Sequence, residues 1–336
     1  MSRHFFALAL SAVAALSLLH DTCHAQKGYG VNGSGQLFSY FVNAAAPAPV
    51  TNIGAPLSFV PEGIDFRPSS QTLYAIDVGA NTVQLYTIDI TTGVAVAVGA
   101  GFNSTGAVNA VPYDLTTSSN FGFDFNPKTL QGDDSMRIRL VNTANQNLRL
   151  NSSTGLITNV DTQLVIQPSG NSPFVDAVAY INNVAESAGP PPAVTILYDM
   201  DTRNDSLYTQ DPPNNGALNL VGAFGVDLDA TTRVHFDIYT DPASVDPTIG
   251  GDTGYAVLKR PDTPPAPGPT GSYLLYNVNL TTGQTLQGRL VGSAVTPANF
   301  DGGFAVLPFP IPEPSCMLLT GIASLALACT GRQRRS

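Results

Sequence analysis

Gly122-Phe123-Asp124-Phe125-Asn126-Pro127 is the stretch that organises the chain, because it recurs in altered form. Gly63-Ile64-Asp65-Phe66-Arg67-Pro68 is a close copy. Looser copies place a large apolar residue before an aspartate in Val175-Asp176-Ala177, Phe236-Asp237-Ile238 and Phe300-Asp301-Gly302. The five aspartates are 59, 52, 61 and 64 residues apart. Repeats of about 40 to 50 residues are typical of β-propeller blades, and insertions lengthen them. The spacing therefore predicts an all-β propeller.

The intervals between copies have room for three further strands each. After the copy at Asp65, apolar β-prone runs at 72–76, 83–90 and 94–98 predict those strands, with Thr91-Thr92-Gly93 turning between the last two. Four strands per repeat is the number that a propeller blade requires. The polar Gly, Pro, Ser and Asn-rich connections, including 100–120, are predicted to be loops.

The fifth copy, at Asp301, is followed almost at once by a C-terminal tail and has no strands after it to complete a blade. Three strand-like segments near the N-terminus, 29–32, 37–42 and 50–53, belong to no other blade. Pairing them with the last inner strand would close the ring and hide exposed sheet edges. We therefore predict five four-stranded blades closed by N-terminal strands, with six blades as the alternative if a long connection conceals a repeat.

The composition excludes several kinds of chemistry. Charged residues make up only 12% of the 336 residues and the net charge is −10, so the surface repels phosphates and predicts no nucleic-acid binding. The three cysteines lie near the termini, outside residues 26–309, and His235 is the one histidine within that range. The central chain therefore offers no thiol nucleophile, disulfide or histidine cluster for zinc.

The first 25 residues have the pattern of a secretory signal peptide. Arg3 and His4 precede the apolar run 5–19, and Cys23-His24-Ala25 is similar to a small-residue cleavage site. Lipid attachment at Cys23 is the competing interpretation, but the polar residues before it do not suit such a site. We predict a signal peptide at 1–25, a single propeller domain at 26–309 and a separate tail at 310–336.

The tail resembles a known export signal. A triplet, Pro312-Glu313-Pro314, is followed by the apolar run 316–330 and a basic end containing Arg332, Arg334 and Arg335. As a helix the run would span about 22 Å, so it would be a short transmembrane segment that crosses with local thinning of the bilayer. The arrangement resembles the PEP-CTERM sorting signal of Gram-negative bacteria; an ordinary C-terminal anchor is the alternative.

That resemblance implies an exosortase-type sorting enzyme as a partner and a transient association with the inner membrane. The expected location is the cell envelope, cell surface or extracellular matrix of a Gram-negative-type bacterium.

Several segments between about Gln36 and Leu307 resemble one family. These are the opening stretch, Gln146-Asn147-Leu148-Arg149-Leu150-Asn151, Asp211-Pro212-Pro213-Asn214-Asn215-Gly216 with Val221-Gly222, and Leu275-Tyr276 with Thr281-Thr282-Gly283. Together and in this order they are similar to a bacterial domain of unknown function, number 4394. The family has no established catalytic residues, so the resemblance implies no active site.

The repeated aspartates are the candidate metal ligands. If each lies on the innermost strand of its blade, period-2 alternation turns all of them to the same face and forms a ring. Clustered carboxylates need a cation or hydrogen-bond donors, and Ca²⁺ suits such oxygen ligands. The alternative is structural: each aspartate accepts a backbone N–H of the next blade. The candidates are Asp65, Asp124, Asp176, Asp237 and Asp301.

The preferred functional hypothesis is an exported, non-catalytic β-propeller that acts as a binding or structural module, with a glycan or a surface protein as partner. No cofactor is required by this hypothesis. The rival hypothesis is a Ca²⁺-dependent hydrolase or lactonase that uses the axial aspartate ring. His235, which precedes Phe236-Asp237, could act as a base, but a lone histidine at a strand start is typical of packing.

Overall fold

A computed structural model describes residues 24–44, 48–118, 120–128, 137–183, 194–228, 233–241, 251–259, 272–293, 297–308 and 311–312. Within these ranges the regular elements are β-strands and two three-residue 3-10 turns, Leu115–Thr117 and Pro213–Asn215. The predicted all-β class is confirmed. In the described part of the chain we find no helix with the length and apolar character needed to cross a membrane.

In chain order the strands are β1 (His24–Ala25), β2 (Lys27–Val31), β3 (Leu37–Phe41), β4 (Thr51–Ile53), β5 (Gly63–Arg67), β6 (Thr72–Val78), β7 (Thr82–Ile88), β8 (Ala95–Asn103), β9 (Thr105–Val108), β10 (Val111–Asp114), β11 (Phe121–Phe125), β12 (Arg137–Asn142), β13 (Asn147–Asn151), β14 (Ile157–Val160), β15 (Val165–Ile166), β16 (Val175–Tyr180), β17 (Leu197–Asp201), β18 (Ser206–Gln210), β19 (Ala217–Ala223), β20 (His235–Thr240), β21 (Asp252–Lys259), β22 (Tyr273–Val278), β23 (Thr285–Leu290), β24 (Phe304–Val306) and β25 (Ile311–Pro312).

Five antiparallel blades arranged in a ring account for most of these strands. Blade 1 is β24-β2-β3-β4, blade 2 is β5 to β8, blade 3 is β11 to β14, blade 4 is β16 to β19 and blade 5 is β20 to β23. The short strand β15 joins blade 4 by pairing in parallel with β19. The first strand named for each blade is innermost, and β24, β5, β11, β16 and β20 contact one another in that order around the ring.

The ring closes between the two ends of the domain as the sequence predicts. In blade 1 the last inner strand, β24, pairs with β2 from the N-terminal region, with Gly28 opposite Val306, Tyr29 opposite Ala305 and Gly30 opposite Phe304. Five blades, not six, therefore form the ring. Closure leaves the inner edge of every blade facing a neighbouring blade instead of solvent.

The core lies between the blades, on both faces of each sheet. Ile76 and Leu85 of blade 2, for example, pack in one cluster with Phe123 and Leu140 of blade 3. Equivalent clusters join blades 4 and 5 and blades 5 and 1. Since both faces are covered, polar side chains on the inner strands are buried as deeply as apolar ones.

A second contact joins blades nearer their outer edges. The fourth strand, or the residue after it, brings a glycine against the turn between the third and fourth strands of the next blade. A Cβ on Gly54, Gly99 or Gly222 would lie 1.9, 2.0 or 2.1 Å from the carbonyl oxygen of Thr92, Thr154 or Thr282, respectively. Three of the five blade interfaces therefore fit together with backbone directly against backbone.

One segment predicted to be a loop contains regular structure. The connection 100–120 holds the end of β8, the β9–β10 hairpin and a 3-10 turn. The hairpin turns at Asn109 and Ala110, which both have positive φ. An Asn-Ala pair lacks the glycine that usually identifies such two-residue turns, so the composition of the segment predicts a loop.

The terminal segments form a separate compact unit, residues 1–27 and 310–336. Its described strands are β1 and β25, which pair with His24 opposite Pro312. The predicted signal peptide lies almost entirely outside the described residues. So do five residues of the predicted sorting signal: Glu313, Pro314, Arg332, Arg334 and Arg335.

Candidate functional site

Three of the five candidate aspartates meet around the axis of the ring. Asp65, Asp124 and Asp237 lie on the inner strands β5, β11 and β20, and one carboxylate oxygen from each lies within 4.8 Å of the others. All three side chains are buried. This group is called the axial cluster below.

The other two aspartates do not occupy this axial position: Asp176 lies near the start of β16, and Asp301 precedes β24. In the axial cluster each aspartate stands opposite a residue of the second strand of its blade. In blades 4 and 1 the corresponding inner position, opposite a second-strand tyrosine, is occupied by Ala179 and Ala305 instead of Asp176 and Asp301. The paired residues are Asp65 with Tyr74, Asp124 with Arg139, Ala179 with Tyr198, Asp237 with Tyr255, and Ala305 with Tyr29.

Asp176 and Asp301 accept hydrogen bonds from side chains outside the axial cluster instead. Asp176 sits where the register of β16 and β17 shifts, and its carboxylate accepts hydrogen bonds from the Thr202 hydroxyl and from Asn120. Asp301 accepts from the Tyr273 hydroxyl at 2.5 Å and from Asn299 at 2.8 Å. The five-membered carboxylate ring expected from the sequence is thus reduced to three members.

The axial cluster fastens each of its blades to the next one. Asp65 of blade 2 accepts the backbone N–H of Phe125 in blade 3 at 2.7 Å. Asp124 of blade 3 accepts that of Tyr180 in blade 4 at 3.1 Å. Asp237 of blade 5 accepts that of Val306 in blade 1 at 2.6 Å. This is the geometry expected from the structural alternative, and it satisfies inner-strand donors that are otherwise buried.

Burial also changes the acidity of these carboxyls. It raises the pKa of Asp65 and Asp124 well above the ordinary value, and neighbouring cluster carboxylates raise both further. Burial raises the pKa of Asp237 to about 7, even though two backbone N–H groups favour its charged form. Such a cluster must hold protons or a cation. Carboxylate oxygens are ligands that Ca²⁺ prefers, so the three residues fit a hard cation by donor type.

His235 is buried nearby on β20. It lines a small axial cavity together with residues of all five inner strands, among them Gly63, Phe121, Ala177 and Phe304. Burial lowers the pKa of His235 to about 4, so the imidazole is neutral at physiological pH. Its Nε2 atom is buried without a hydrogen-bond partner.

The largest departure from the blade pattern is a row of polar side chains across blade 3. Four blades place a tyrosine on the second strand beside the inner aspartate or alanine, whereas blade 3 places Arg139 there. On its third strand Arg149 stands opposite Arg139, where blades 2, 4 and 5 have Thr87, Thr209 and Asn277. Residues in one row point to the same face of a sheet, so both arginines face blade 4.

Arg139 is buried between the two blades and donates four hydrogen bonds. Within blade 3 its guanidinium donates to Asn147 and to Asp161 at 2.5 and 2.9 Å. Toward blade 4 it donates to the Asn214 side-chain oxygen at 2.8 Å and, at 3.4 Å, to the Tyr180 hydroxyl. Like charges opposite each other in a sheet are destabilising, and Asp161 relieves this by pairing with Arg149 as well, at 2.8 Å through both of its oxygens.

The interface between blades 3 and 4 is also built differently at its outer edge. The turn 211–216 of blade 4 takes the place of the Thr-Thr-Gly turns of blades 2 and 5. It is held by side chains of blade 3: Asn147 donates to the carbonyl of Pro213 at 3.0 Å, and Arg139 donates to Asn214. Side-chain hydrogen bonds thus replace part of the close backbone contact.

A half-open cleft of about 490 Å³ lies at this interface and is called the basic cleft below. Four cationic side chains, from Lys128, Arg137, Arg139 and Arg149, line it. The other described lining residues are Asn126, Ile138, Asn159, Tyr180, Val194, Thr195, Pro213 and Asn214. Four of the chain's 15 Lys and Arg residues thus converge there, in a protein of net charge −10. The described lining has no acidic side chain, but Asp161 beside it pairs with both Arg139 and Arg149 and offsets one of the four positive charges. The remaining positive charge suits an anion.

Arg149→Gln should lower the free energy of unfolding by about 1 kcal/mol, since its side chain is 25% exposed and Asp161 retains Arg139 as a partner. Urea denaturation measures the effect. Arg149→Lys keeps the charge but loses the bidentate hydrogen bond, so it should lower the free energy of unfolding by less than Arg149→Gln does. A loss above about 3 kcal/mol would mean that Arg149 acts as an essential buried ion and not as a rim residue.

Sequence reasoning missed the basic cleft. The segments containing Asn147, Arg149 and Asn214 carry the family resemblance, but nothing in their sequence brings them together as a site. The available signal is the substitution of Arg139 for the second-strand tyrosine. It becomes visible only after the blades are aligned strand by strand, because an insertion at 129–135 separates Arg139 from the repeated stretch.

Comparison with solved structures identifies proteins with distant similarity. Sqt1 of Saccharomyces cerevisiae has 14% identity and a TM-score of 0.37, with 85% of this chain and 81% of that chain covered. The periplasmic gluconolactonase PpgL of Pseudomonas aeruginosa has 13% identity and a TM-score of 0.35, with coverages of 82% and 69%. A chain of a nidogen/laminin complex has 9% identity and a TM-score of 0.42, with coverages of 84% and 98%. Similarity at this level is not evidence for a shared activity.

Sequence comparison gives a direct assignment. No curated protein matches the chain. A family model described as a domain of unknown function, DUF4394, matches residues 42–297. That range contains the repeated stretch at Asp124, the three axial aspartates and every described residue of the basic cleft. The chain therefore belongs to the DUF4394 family.

Proposed function

We propose that the protein is an exported, non-catalytic binding module that holds an anionic ligand in the basic cleft between blades 3 and 4. The observation that carries this proposal is the convergence of four cationic side chains on one cleft of about 490 Å³ in an acidic protein. Ligand sites are typically concave and place a few polar groups on a rigid frame. Here the frame is a pair of packed blades.

The rest of the cleft supports binding and not turnover. Its described lining has no carboxylate, imidazole or thiol, which are the usual groups for general acid–base or nucleophilic chemistry. Arg139 and Arg149 are held in place by Asp161, so the charges are positioned before a ligand arrives. A preformed site loses little conformational entropy on binding.

Export is supported by the sequence at both ends of the chain. A signal-peptide pattern at 1–25 and the Pro312-Glu313-Pro314 triplet with its basic end would deliver the domain to the cell surface or extracellular matrix through an exosortase-type enzyme. Expression of the full chain in a host with and without an exosortase checks this. Mass spectrometry should find cleavage near the triplet only with the enzyme. A protein that keeps its tail in both hosts would favour a permanent anchor.

The axial cluster favours a second candidate, a Ca²⁺-dependent propeller hydrolase or lactonase. Three carboxylate oxygens within 4.8 Å of one another are the supporting observation. Against it, the same carboxylates bond the backbone of adjacent blades and are buried. Its distinguishing property is lactone or ester turnover that disappears with a chelator and returns with Ca²⁺.

The binding proposal is tested by thermal unfolding of the full chain in citrate against NaCl of equal ionic strength. Near ten times its dissociation constant, citrate should raise the melting temperature by about 2 to 4 °C. A Lys128→Gln/Arg137→Gln variant should lose this increase. Arg203→Gln/Lys259→Gln removes the same charge outside the cleft and should keep it. The basic cleft is not an anion site if citrate does not stabilise the wild type. The same conclusion follows if citrate stabilises the two double variants equally.

A further inference from the structure

We infer that the ligand of the basic cleft is a sugar acid, a hydroxyl-rich carboxylate such as a uronic-acid unit of an acidic polysaccharide. This inference rests on the proposed binding function and specifies its ligand. It is drawn from the size of the cleft, the chemistry of its uncharged wall and the absence of an exposed aromatic face in its described lining.

The size of the cleft leaves room for a ligand larger than an inorganic anion. A water molecule accounts for about 30 Å³ in the liquid, and a tetrahedral ion has the volume of only a few waters. Such an ion would leave most of the 490 Å³ to solvent. A ligand the size of one or two sugar rings fills it better, and the open side lets a longer chain continue outward.

The uncharged wall matches hydroxyl groups. Asn126, Asn159, Asn214 and Thr195 line the cleft beside the cations. Amides and hydroxyls both donate and accept hydrogen bonds, as sugar hydroxyls do, whereas sulfate can only accept. Val194, which is 45% exposed, and Pro213 add apolar surface for the carbon face of a sugar ring. Arg137 supplies a planar guanidinium fork of the kind that pairs with a carboxylate, whereas the forks of Arg139 and Arg149 already bond Asp161.

The aromatic content argues against a nucleotide. Tyr180 is the one aromatic residue in the described lining, and it is 1% exposed, with its hydroxyl bonded by Arg139. Nucleobases are usually bound by stacking on accessible aromatic rings. A ligand with charge and hydroxyls but no base therefore fits these walls.

The test compares a trigalacturonate with its methyl ester by calorimetry on the full chain. The two share every ring and hydroxyl except that the ester masks the carboxylates. The acid should bind and the ester should bind at least about tenfold more weakly, since the ester loses the charge-assisted hydrogen bonds to the cationic side chains. Lys128→Gln/Arg137→Gln should lower the affinity for trigalacturonate by about tenfold or more. Arg203→Gln/Lys259→Gln should leave this affinity unchanged.

Other outcomes separate this inference from the broader proposal. If the ester binds as well as the acid, or sulfate competes at the same concentration as the trigalacturonate, the sugar-acid assignment is wrong. The cleft remains an anion site in that case if citrate still stabilises the wild type and not the cleft variant. If the cleft substitutions change neither the stabilisation by citrate nor the affinity for trigalacturonate, both the ligand assignment and the binding proposal are overturned.

Discussion

Gly99→Ala should destabilise the propeller by about 3 kcal/mol or more. An alanine Cβ at this position would lie 2.0 Å from the carbonyl oxygen of Thr154 in the next blade, so blades 2 and 3 would have to separate locally. Forcing extra atoms into a packed interface costs about 1 to 3 kcal/mol. Gly99 also has φ of +67°, where a side chain adds about 1 to 2 kcal/mol of strain. Urea denaturation measures the sum.

Two further glycines divide this effect into its causes. Gly170 has φ of +75°, and an alanine Cβ there would meet no atom within 4 Å, so Gly170→Ala carries only the backbone strain. Gly222 has no positive φ, but its Cβ would approach the Thr282 carbonyl oxygen to 2.1 Å, so Gly222→Ala carries only the contact between blades. Gly99→Ala should lower the free energy of unfolding by more than either Gly170→Ala or Gly222→Ala. Equal losses for Gly99→Ala and Gly170→Ala would show that the turns do not interlock as described.

The ring and its closure were predictable because they depend only on the number of repeats and of strand-like segments in the sequence. Recurrence of the stretch around Asp124 set the number of inner strands, and the sequence after the fifth copy offers no three further strands to complete its blade, which required strands from elsewhere. The chain has an unpaired inner strand at one end and three unpaired strands at the other. Their backbone N–H and C=O groups are satisfied if these strands pair in one sheet. The pairing of β24 with β2 is that solution.

The membership of the axial cluster was less predictable, because a short degenerate pattern does not fix register. A shift of a few residues changes which side chain reaches the axis. The register shift in β16 places Ala179 opposite Tyr198, and β24 places Ala305 opposite Tyr29. The second-strand tyrosine would have been the better guide to position, since Tyr74, Tyr255, Tyr198 and Tyr29 mark it in four blades.

The basic cleft could not be predicted from pattern alone, because its residues come from two blades and distant segments. Arg139 and Asn214 are 75 positions apart, and the sequence around each reads as an ordinary strand or turn. Only packing brings them within hydrogen-bond distance. The interface with the strongest departure from the shared blade pattern is also the one with the cleft.

The stability difference between wild type and Asp237→Asn should decrease as pH rises from about 4 to 7. The pKa of Asp237 is raised by burial from 3.8 to about 7 in the folded protein. A raised carboxyl pKa contributes stability that is fully present below the unfolded value and is lost as pH rises through the folded value. For this shift the loss approaches about 4 kcal/mol. The asparagine does not titrate, but it also removes the charge that raises the pKa of Asp65 and Asp124, so the comparison measures the pH dependence of the whole axial cluster.

Urea denaturation of both proteins at pH 4.5, 6 and 7.5 measures this change. Asp89→Asn is the control: hydrogen bonds from Thr91 and Thr92 lower the pKa of Asp89 to about 2, so its effect should be constant over this range. Repeating the pH 7.5 measurement with Ca²⁺ separates the two roles of the axial cluster. If Ca²⁺ restores wild-type stability but not that of the variant, the cluster binds a cation. If Ca²⁺ changes neither, the cluster works through protons and backbone hydrogen bonds. A difference that stays flat with pH would show that Asp237 is not the buried, titrating carboxyl described here.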